Sequence, residues 1–204
     1  MDVTIRKEAP GDRYAAEYMT KKAFWNLHFP GCSEHYLVHR LRRDAAYLPQ
    51  LSRVAEYKGQ IVGAIYCAKA FVRSSEGKQL PVLTFGPLCV EPDFQKRGIG
   101  GQLLQTVMRL AGEAGWKGVV IYGETSYYPR FGFAAGTRFG ITDEKGENPS
   151  ALMAAELIPG GLAEISGQFY EPSVYINLPQ SEVDQYDKLF PYLEKRVLPG
   201  QWKL

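Results

Sequence analysis

Leu88-Cys89-Val90-Glu91-Pro92-Asp93-Phe94-Gln95-Lys96-Arg97-Gly98-Ile99-Gly100-Gly101 is the stretch from which the fold is read. Leu88 to Val90 close an apolar run that starts near Val82, the pattern of a strand. Pro92 has no N–H to give a ladder and stops that strand. Gly98, Gly100 and Gly101 open backbone conformations that side chains forbid. From Gln102 the pattern becomes helical, with Leu103, Val107, Leu110, Ala111 and Ala114 on one face. A glycine loop at a helix start points free amides outward, with the positive end of the helix dipole behind them. Such a loop is an anion site, and phosphate or pyrophosphate is its usual guest.

Two common phosphate loops do not fit. A Walker A loop ends in Gly-Lys-Ser/Thr, whereas Gly100 is followed by Gly101-Gln102. The dinucleotide fingerprint requires a third glycine where this chain has Leu103. What remains is Gln95-x-x-Gly98-x-Gly100, after a strand that ends Val-x-Pro.

The 204 residues suit one domain, or one domain with an appendage. With 45% hydrophobic and 23% charged residues, the composition is that of a globular protein. A net charge of +2 gives no global bias toward nucleic acid or anionic membrane. The three cysteines, Cys32, Cys67 and Cys89, are odd in number and unpatterned, which points to a reducing compartment. The first residues lack the apolar core of a signal peptide, and no window approaches about 18 consecutive apolar residues. A soluble, cytoplasmic protein is expected.

Working outward, Val3 to Lys7 alternates as a strand and Asp12 is the expected N-cap of a first helix. That helix carries Ala15, Ala16, Met19, Ala23 and Phe24 and ends before Pro30-Gly31. Ser33 opens a second helix with a stripe of Tyr36, Leu37, Leu41, Ala45 and Leu48, closed by Pro49. His39, Arg40, Arg42 and Arg43 make its other side basic, read as a solvated face. Ser52–Tyr57 and Ile61–Phe71 form a hairpin about Lys58-Gly59-Gln60. Leu80–Val90 is the long strand feeding the loop, with a bulge or splay expected at Gly86-Pro87. Gly118–Tyr122 is a short, continuous apolar strand, as a parallel central strand should be. Strands are further expected over Phe133–Thr142, Ala151–Ile158 and Glu164–Tyr170, and a last helix from Ser181 to about Lys195.

This order of elements, with the Gln95–Gly101 loop, resembles the GCN5-related N-acetyltransferase (GNAT) superfamily over roughly residues 3–142. The strings Pro87-Leu88-x-Val90 and Tyr127-Tyr128-x-Arg130-Phe131-Gly132-Phe133 resemble its YhbS-type subgroup of bacterial N-acetyltransferases. The fold class implied is α/β (α+β): a mixed, mostly antiparallel twisted sheet flanked by helices, with a C-terminal strand/helix extension. The division expected is a GNAT domain over 1–145 and an extension over 146–204 packed on it. The resemblance implies acetyl-CoA as co-substrate and transfer of its acetyl group to a primary amine on a small molecule or peptide. A non-catalytic acyl-CoA-binding module on the same fold is the alternative, since fold alone does not set activity.

Carried over by residue, the resemblance implies that Gln95, Lys96, Arg97, Gly98, Ile99, Gly100 and Gly101 bind the pyrophosphate. The strand residues Leu88, Cys89 and Val90 bind the pantetheine arm through their backbone, and the Val90 amide polarises the thioester carbonyl. Tyr128 takes the position of the general acid that protonates the leaving thiolate. No carboxylate stands in Phe85-Gly86-Pro87-Leu88, where relatives often carry a base, and Glu91 is expected to face away. Glu34, His35, Glu124 or an ordered water are the base candidates. Phe24, Trp25, His28, Phe29 and Cys32 are candidates for the acceptor pocket. The three histidines lie within the twelve residues His28–His39, but their spacing with Cys32 fits no standard zinc site and no metal is assigned. No nucleic acid or membrane partner is expected; the extension is read as a wall of the acceptor site or a homodimer contact.

Overall fold

The computed structural model describes residues 2–202. In chain order its elements are β1 (Thr4–Arg6), α1 (Arg13–Phe24), α2 (Glu34–Leu41), β2 (Arg53–Tyr57), β3 (Gln60–Arg73) and β4 (Gln79–Val90). Then come α3 (Ile99–Glu113), β5 (Gly118–Tyr122), β6 (Ala134–Ala135), β7 (Ile141–Thr142), β8 (Leu152–Glu156), β9 (Gly167–Tyr170) and α4 (Gln180–Asp187). The chain forms two compact units. The first holds the described residues up to Tyr66, Pro87–Leu104 and those from Ser173 onward; the second holds Cys67–Gly86 and Gln105–Pro172. Strands β3 and β4 and helix α3 contribute to both.

In the first unit β1, β2 and the start of β3 pair antiparallel, with Ile5 opposite Ala55 and Val54 opposite Ala64. Lys58 and Gly59 both adopt left-handed φ (+49° and +80°), the two-residue turn that matches strand twist. Helix α1 buries Ala16 and Met19, but also Glu17, Thr20 and Lys21. Each polar group has a partner. Arg42 reaches back from the end of α2 to Glu8 at 2.6 Å, to Glu17, and to the Tyr66 hydroxyl at 3.1 Å. Burial disfavours that guanidinium, yet Tyr66 and the two carboxylates raise its pKa above the ordinary value.

The second unit has a mixed sheet. β4 and β5 run parallel with Leu83 beside Val119, and β8 pairs antiparallel with β5 from Gly118↔Glu156 to Tyr122↔Leu152. β6 adds to β8, β7 runs parallel to β9, and β9 pairs with the far end of β3. Its core is formed by Val72, Val82, Val120, Ile141, Ala154 and Phe169.

Four expectations change. Helix α2 stops at Leu41 and does not reach Leu48, because Arg42 turns inward and Asp44 Oδ1 accepts the Ala46 N–H, a local bond that competes with helix. Asp12 does not cap α1 through its side chain; its carboxylate takes Arg6 at 2.6 Å and the Ala9 N–H. The Phe133–Thr142 strand is broken into β6, a 3-10 turn over Gly136–Phe139, and β7. A Cβ on Gly136 would sit 2.7 Å from the Ile141 carbonyl, and Gly140 has φ +68°, so the chain folds back there. Helix α4 ends at Asp187, short of Lys195, because Pro191 disfavours helical backbone just before it.

The start of α3 lies on the β3 backbone. A Cβ at Gly63 would meet Leu103 Cδ1 at 3.1 Å, and Ile99 Cγ2 and the Cys89 carbonyl at 3.2 Å. Gly63→Val is therefore expected to cost about 1–3 kcal/mol in a urea melt by overpacking. An unchanged denaturation midpoint would show that α3 is free to move away.

Candidate functional site

In the first unit β4 hands over to the loop through defined bonds. The Glu91 N–H donates to the Val62 carbonyl at 3.0 Å, and Pro92–Phe94 form one 3-10 turn. Gln95 Nε2 then donates to the Val90 carbonyl at 3.1 Å, which folds the loop back on the strand end. Along 87–90 burial alternates: Pro87 and Cys89 point inward, while Leu88 and Val90 are half-exposed. Cys89 Sγ lies 3.4 Å from Thr20 Oγ1 and 3.8 Å from Met19 Sδ, and burial pushes this thiol up to about 12. Its side chain is thus core, and only its backbone faces the loop side of the strand.

The loop has two left-handed residues, Lys96 (φ +60°) and Gly98 (φ +81°). At lysine that conformation is strained and persists only where the surroundings hold it. Gly98 gives its carbonyl to the Gln102 N–H at 3.0 Å and so starts α3. The amides of Ile99, Gly100 and Gly101 fall in the helix's first turn, where no helical acceptor exists. Ile99 is 2% exposed and anchors the loop, while Gln95, Lys96, Arg97 and Gly98 are exposed around it. Arg97 lies over the Phe94 ring at 5.5 Å. The arrangement sets helix-start N–H donors beside two exposed cations, Lys96 and Arg97, with the helix dipole behind them, and it suits a phosphate-bearing ligand.

The segment between α1 and α2 is covered by the chain's own tail. The Trp202 ring stacks on His28 at 4.2 Å, and the Trp202 backbone N–H donates to the His28 carbonyl at 2.7 Å. Trp25 Nε1 and Asn26 Nδ2 both donate to the Glu194 carbonyl, at 2.8 and 2.9 Å. Phe24 lies 6.2 Å from His28, ring to ring, and Phe29 is half-buried. Cys32 is buried, with its pKa raised by burial, and its Sγ is 3.4 Å from His35 Nδ1. His35 Nε2 is 3.0 Å from Asp187 Oδ1, which also takes Lys21 Nζ at 3.1 Å. Both His35 and Lys21 are essentially inaccessible, at 0% and 2% exposure. Glu34 accepts the Ser33 N–H at 3.0 Å, and burial raises its pKa. Glu91, expected to face away, is instead buried against α1 with Lys22 Nζ at 2.5 Å.

In the second unit Tyr128 opens a 3-10 turn whose first N–H groups, at Tyr127 and Tyr128, both donate to the Glu124 carbonyl. Its ring packs against Phe85, Phe133 and Tyr127. Gly123 allows this approach, because a Cβ there would overlap the Tyr128 ring. Burial raises the hydroxyl's pKa, so it keeps its proton.

The glycine loop and the Tyr128 string were readable because each is local. The Lys21–Asp187–His35 group was not, since 166 residues separate the lysine from the aspartate. A lysine inside the buried stripe of α1 was its only sequence signal.

Residues 49–135 match the model of the Acetyltransferase (GNAT) domain. The chain is 35% identical over 97 residues to Uncharacterized N-acetyltransferase YjhQ of Escherichia coli K12, covering 48% of this chain and 53% of that relative, about half its length. It is 25% identical over 163 residues to Uncharacterized N-acetyltransferase YhbS of the same strain, covering 80% and 92%. The crystal structure of E. coli YhbS in complex with CoA matches at TM-score 0.75 and 24% identity, over 87% of this chain and 93% of that one. A GNAT family acetyltransferase from Brucella melitensis in complex with acetyl-CoA matches at TM-score 0.67 and 27% identity, over 85% and 98%. These likenesses show the GNAT fold. Among the described residues, no helix is long and apolar enough to cross a membrane.

Asp187 is the acid that holds the tail on α1 and α2. Burial pushes its pKa up, but hydrogen bonds from His35 and Lys21 outweigh this and depress it. Asp187→Asn is expected to cost about 3–5 kcal/mol by leaving Lys21 buried without its counter-ion. The wild-type contribution is present above the unfolded aspartate value, near about 3.9, and is lost as pH falls through the depressed folded value. Denaturant melts of both proteins between neutral pH and acid check this; a variant as stable as wild type at neutral pH would contradict it.

Proposed function

We propose that the chain, whose residues 49–135 match the GNAT domain model, is an N-acetyltransferase of that superfamily and moves the acetyl group of acetyl-CoA to a primary amine by direct attack in a ternary complex. The observation that carries the reading is the exposed loop before α3, with left-handed Lys96 and Gly98 and with the first-turn amides of α3 lacking helical acceptors. In this reading the diphosphate of acetyl-CoA accepts hydrogen bonds from the amides between Gln95 and Gly101, with Lys96 and Arg97 contributing charge. The two relatives solved with CoA and acetyl-CoA support the choice of co-substrate.

The backbone of Leu88, Cys89 and Val90 then receives the pantetheine arm as an added strand would be received. The Val90 N–H donates to the thioester carbonyl, and that bond strengthens as the oxygen gains negative charge. The neutral amine attacks the carbonyl carbon, the C–S bond breaks, and the thiolate leaves. One proton leaves the amine and one must reach the sulfur. Tyr128 is the proposed proton donor. Tyrosine and thiol reference values differ by about 1.5 units, so full transfer is uphill by roughly 2 kcal/mol. Burial makes the hydroxyl a poorer acid still, so it acts first as a hydrogen-bond donor to the developing thiolate. For removal of the amine proton we take Glu34, whose half-buried carboxyl has a pKa raised by desolvation. Its neighbour His35 is inaccessible, with Nδ1 3.4 Å from Cys32 Sγ and Nε2 3.0 Å from Asp187 Oδ1. That placement favours a second reading, an acyl-CoA-binding module without turnover. The acceptor is a small-molecule or peptide amine; for it to reach the segment containing Phe24, Trp25, His28, Phe29 and Cys32, the contacts of Glu194 and Trp202 with Trp25, Asn26 and His28 have to open.

Calorimetry with acetyl-CoA tests the binding step. Gly98→Val forces a β-branched residue into the left-handed region, at about 1–2 kcal/mol, and should weaken binding about tenfold. Absence of heat with the unaltered protein would overturn the reading. Thiol release from acetyl-CoA across a panel of primary amines tests turnover. Tyr128→Phe should lower kcat about 100-fold and leave the KM for acetyl-CoA unchanged. Tight binding with no release for any amine would select the non-catalytic module.

A further inference from the structure

A second polar cleft lies in the first unit, formed by α1, α2 and α4, with a volume of about 280 Å³. Arg13 and Glu17 come from α1, His39 from α2, Arg42 and Arg43 from just after it, and Tyr186 from α4. Nothing in the acetyl-transfer reading uses these groups.

Their hydrogen bonds set the state of each one. Arg43 Nη1 contacts His39 Nε2, and a guanidinium only donates, so Nε2 accepts and the His39 ring is neutral. The proton of a neutral ring is then on Nδ1, which donates to the Tyr186 oxygen at 2.7 Å. Tyr186 in turn donates to Glu17 Oε2 at 2.6 Å, and Arg42 holds Glu17 Oε1. Arg42 is spent on Glu8 and Glu17. The Arg13 side chain, by contrast, is exposed and has no hydrogen bond or ion pair among the described residues. Arg43 is exposed and has only the histidine. The cleft therefore presents two cations without counter-ions above a floor whose one carboxylate is already saturated.

We propose that this cleft is a binding site for a small oxyanion, a carboxylate or phosphate held between the guanidinium groups of Arg13 and Arg43. Its volume lies just under the about 300 Å³ at which drug-sized pockets begin, so the occupant is small. The binding is linked to a proton. An anion that draws Arg43 away releases His39 Nε2 to take up a proton, and the imidazolium becomes a third cation facing the ligand. The groups facing His39 are Glu17 from α1, Tyr36, Arg42 and Arg43 from α2 and its end, and Tyr186 from α4. Burial and Arg43 hold its pKa below the ordinary histidine value, so the empty site has neutral His39 at neutral pH.

The test follows the three histidine Cε1 resonances of the protein by NMR as pH is varied. Titrations run in inorganic phosphate, in succinate and in chloride, at matched ionic strength, with His39→Gln used for assignment. Phosphate or succinate is expected to raise the His39 midpoint by about one pH unit relative to chloride. Arg13→Gln, an exposed change, should remove most of that rise. Which of the two anions acts separates phosphate from carboxylate recognition. Equal midpoints in all three salts would overturn the proposal as simple screening. A full shift retained in the Arg13→Gln protein would overturn it as well.

Discussion

The closest constraint in the first unit is the contact of a helix with a strand at a single glycine. Helix α3 begins where Ile99 and Leu103 press on the β3 backbone at Gly63, at distances a side chain would violate. This contact has two effects. It buries Ile99 at the root of the glycine loop, and it presents the helix's unpaired amides where the loop opens. Lys96 is held in a left-handed conformation in the same turn, a strain that the anchored helix end and the Gln95–Val90 bond sustain. An anion site made of backbone amides needs its curvature held by neighbours, because no side chain encloses it.

The polar interior of α1 is a second organising feature. Glu17 and Lys21, one turn apart, are both buried. Each is matched from a distant part of the chain: Glu17 by Arg42 and Tyr186, Lys21 by Asp187. A buried charge without its partner is costly, so these pairs select one way for the tail to lie on α1 and α2. Trp202, Glu194 and Gln201 then continue along residues 24–28. The residues read from sequence as an acceptor pocket therefore share their surface with the protein's own C-terminal segment.

In the proposed reading the loop amides act by position and need little from titration. Tyr128 lies in an aromatic setting of Phe85, Phe133 and Tyr127, where burial keeps its proton in place. A separate polar cluster lies on α1, α2 and α4, where Glu17, His39 and Tyr186 are linked by hydrogen bonds.

The order of strands and helices through β5, the glycine loop and the Tyr128 turn were all legible in the sequence. These depend on patterns within a few residues: alternation, helical spacing, and the dihedral freedom of glycine. The limits of α2 and α4 and the break between β6 and β7 were not, since Arg42, Pro191 and the Gly136–Ile141 contact end them through partners or crowding outside the local pattern. By itself the sequence determined that a strand would deliver an amide-lined loop to a helix start. Only the tertiary structure decided that His35 is sealed against Asp187, that the tail lies over residues 24–28, and that Arg13 and Arg43 are left without anions. Those outcomes rest on pairings between residues up to 175 positions apart, and pairing at that range is chosen by burial and charge compensation across the fold, which no short window of sequence records.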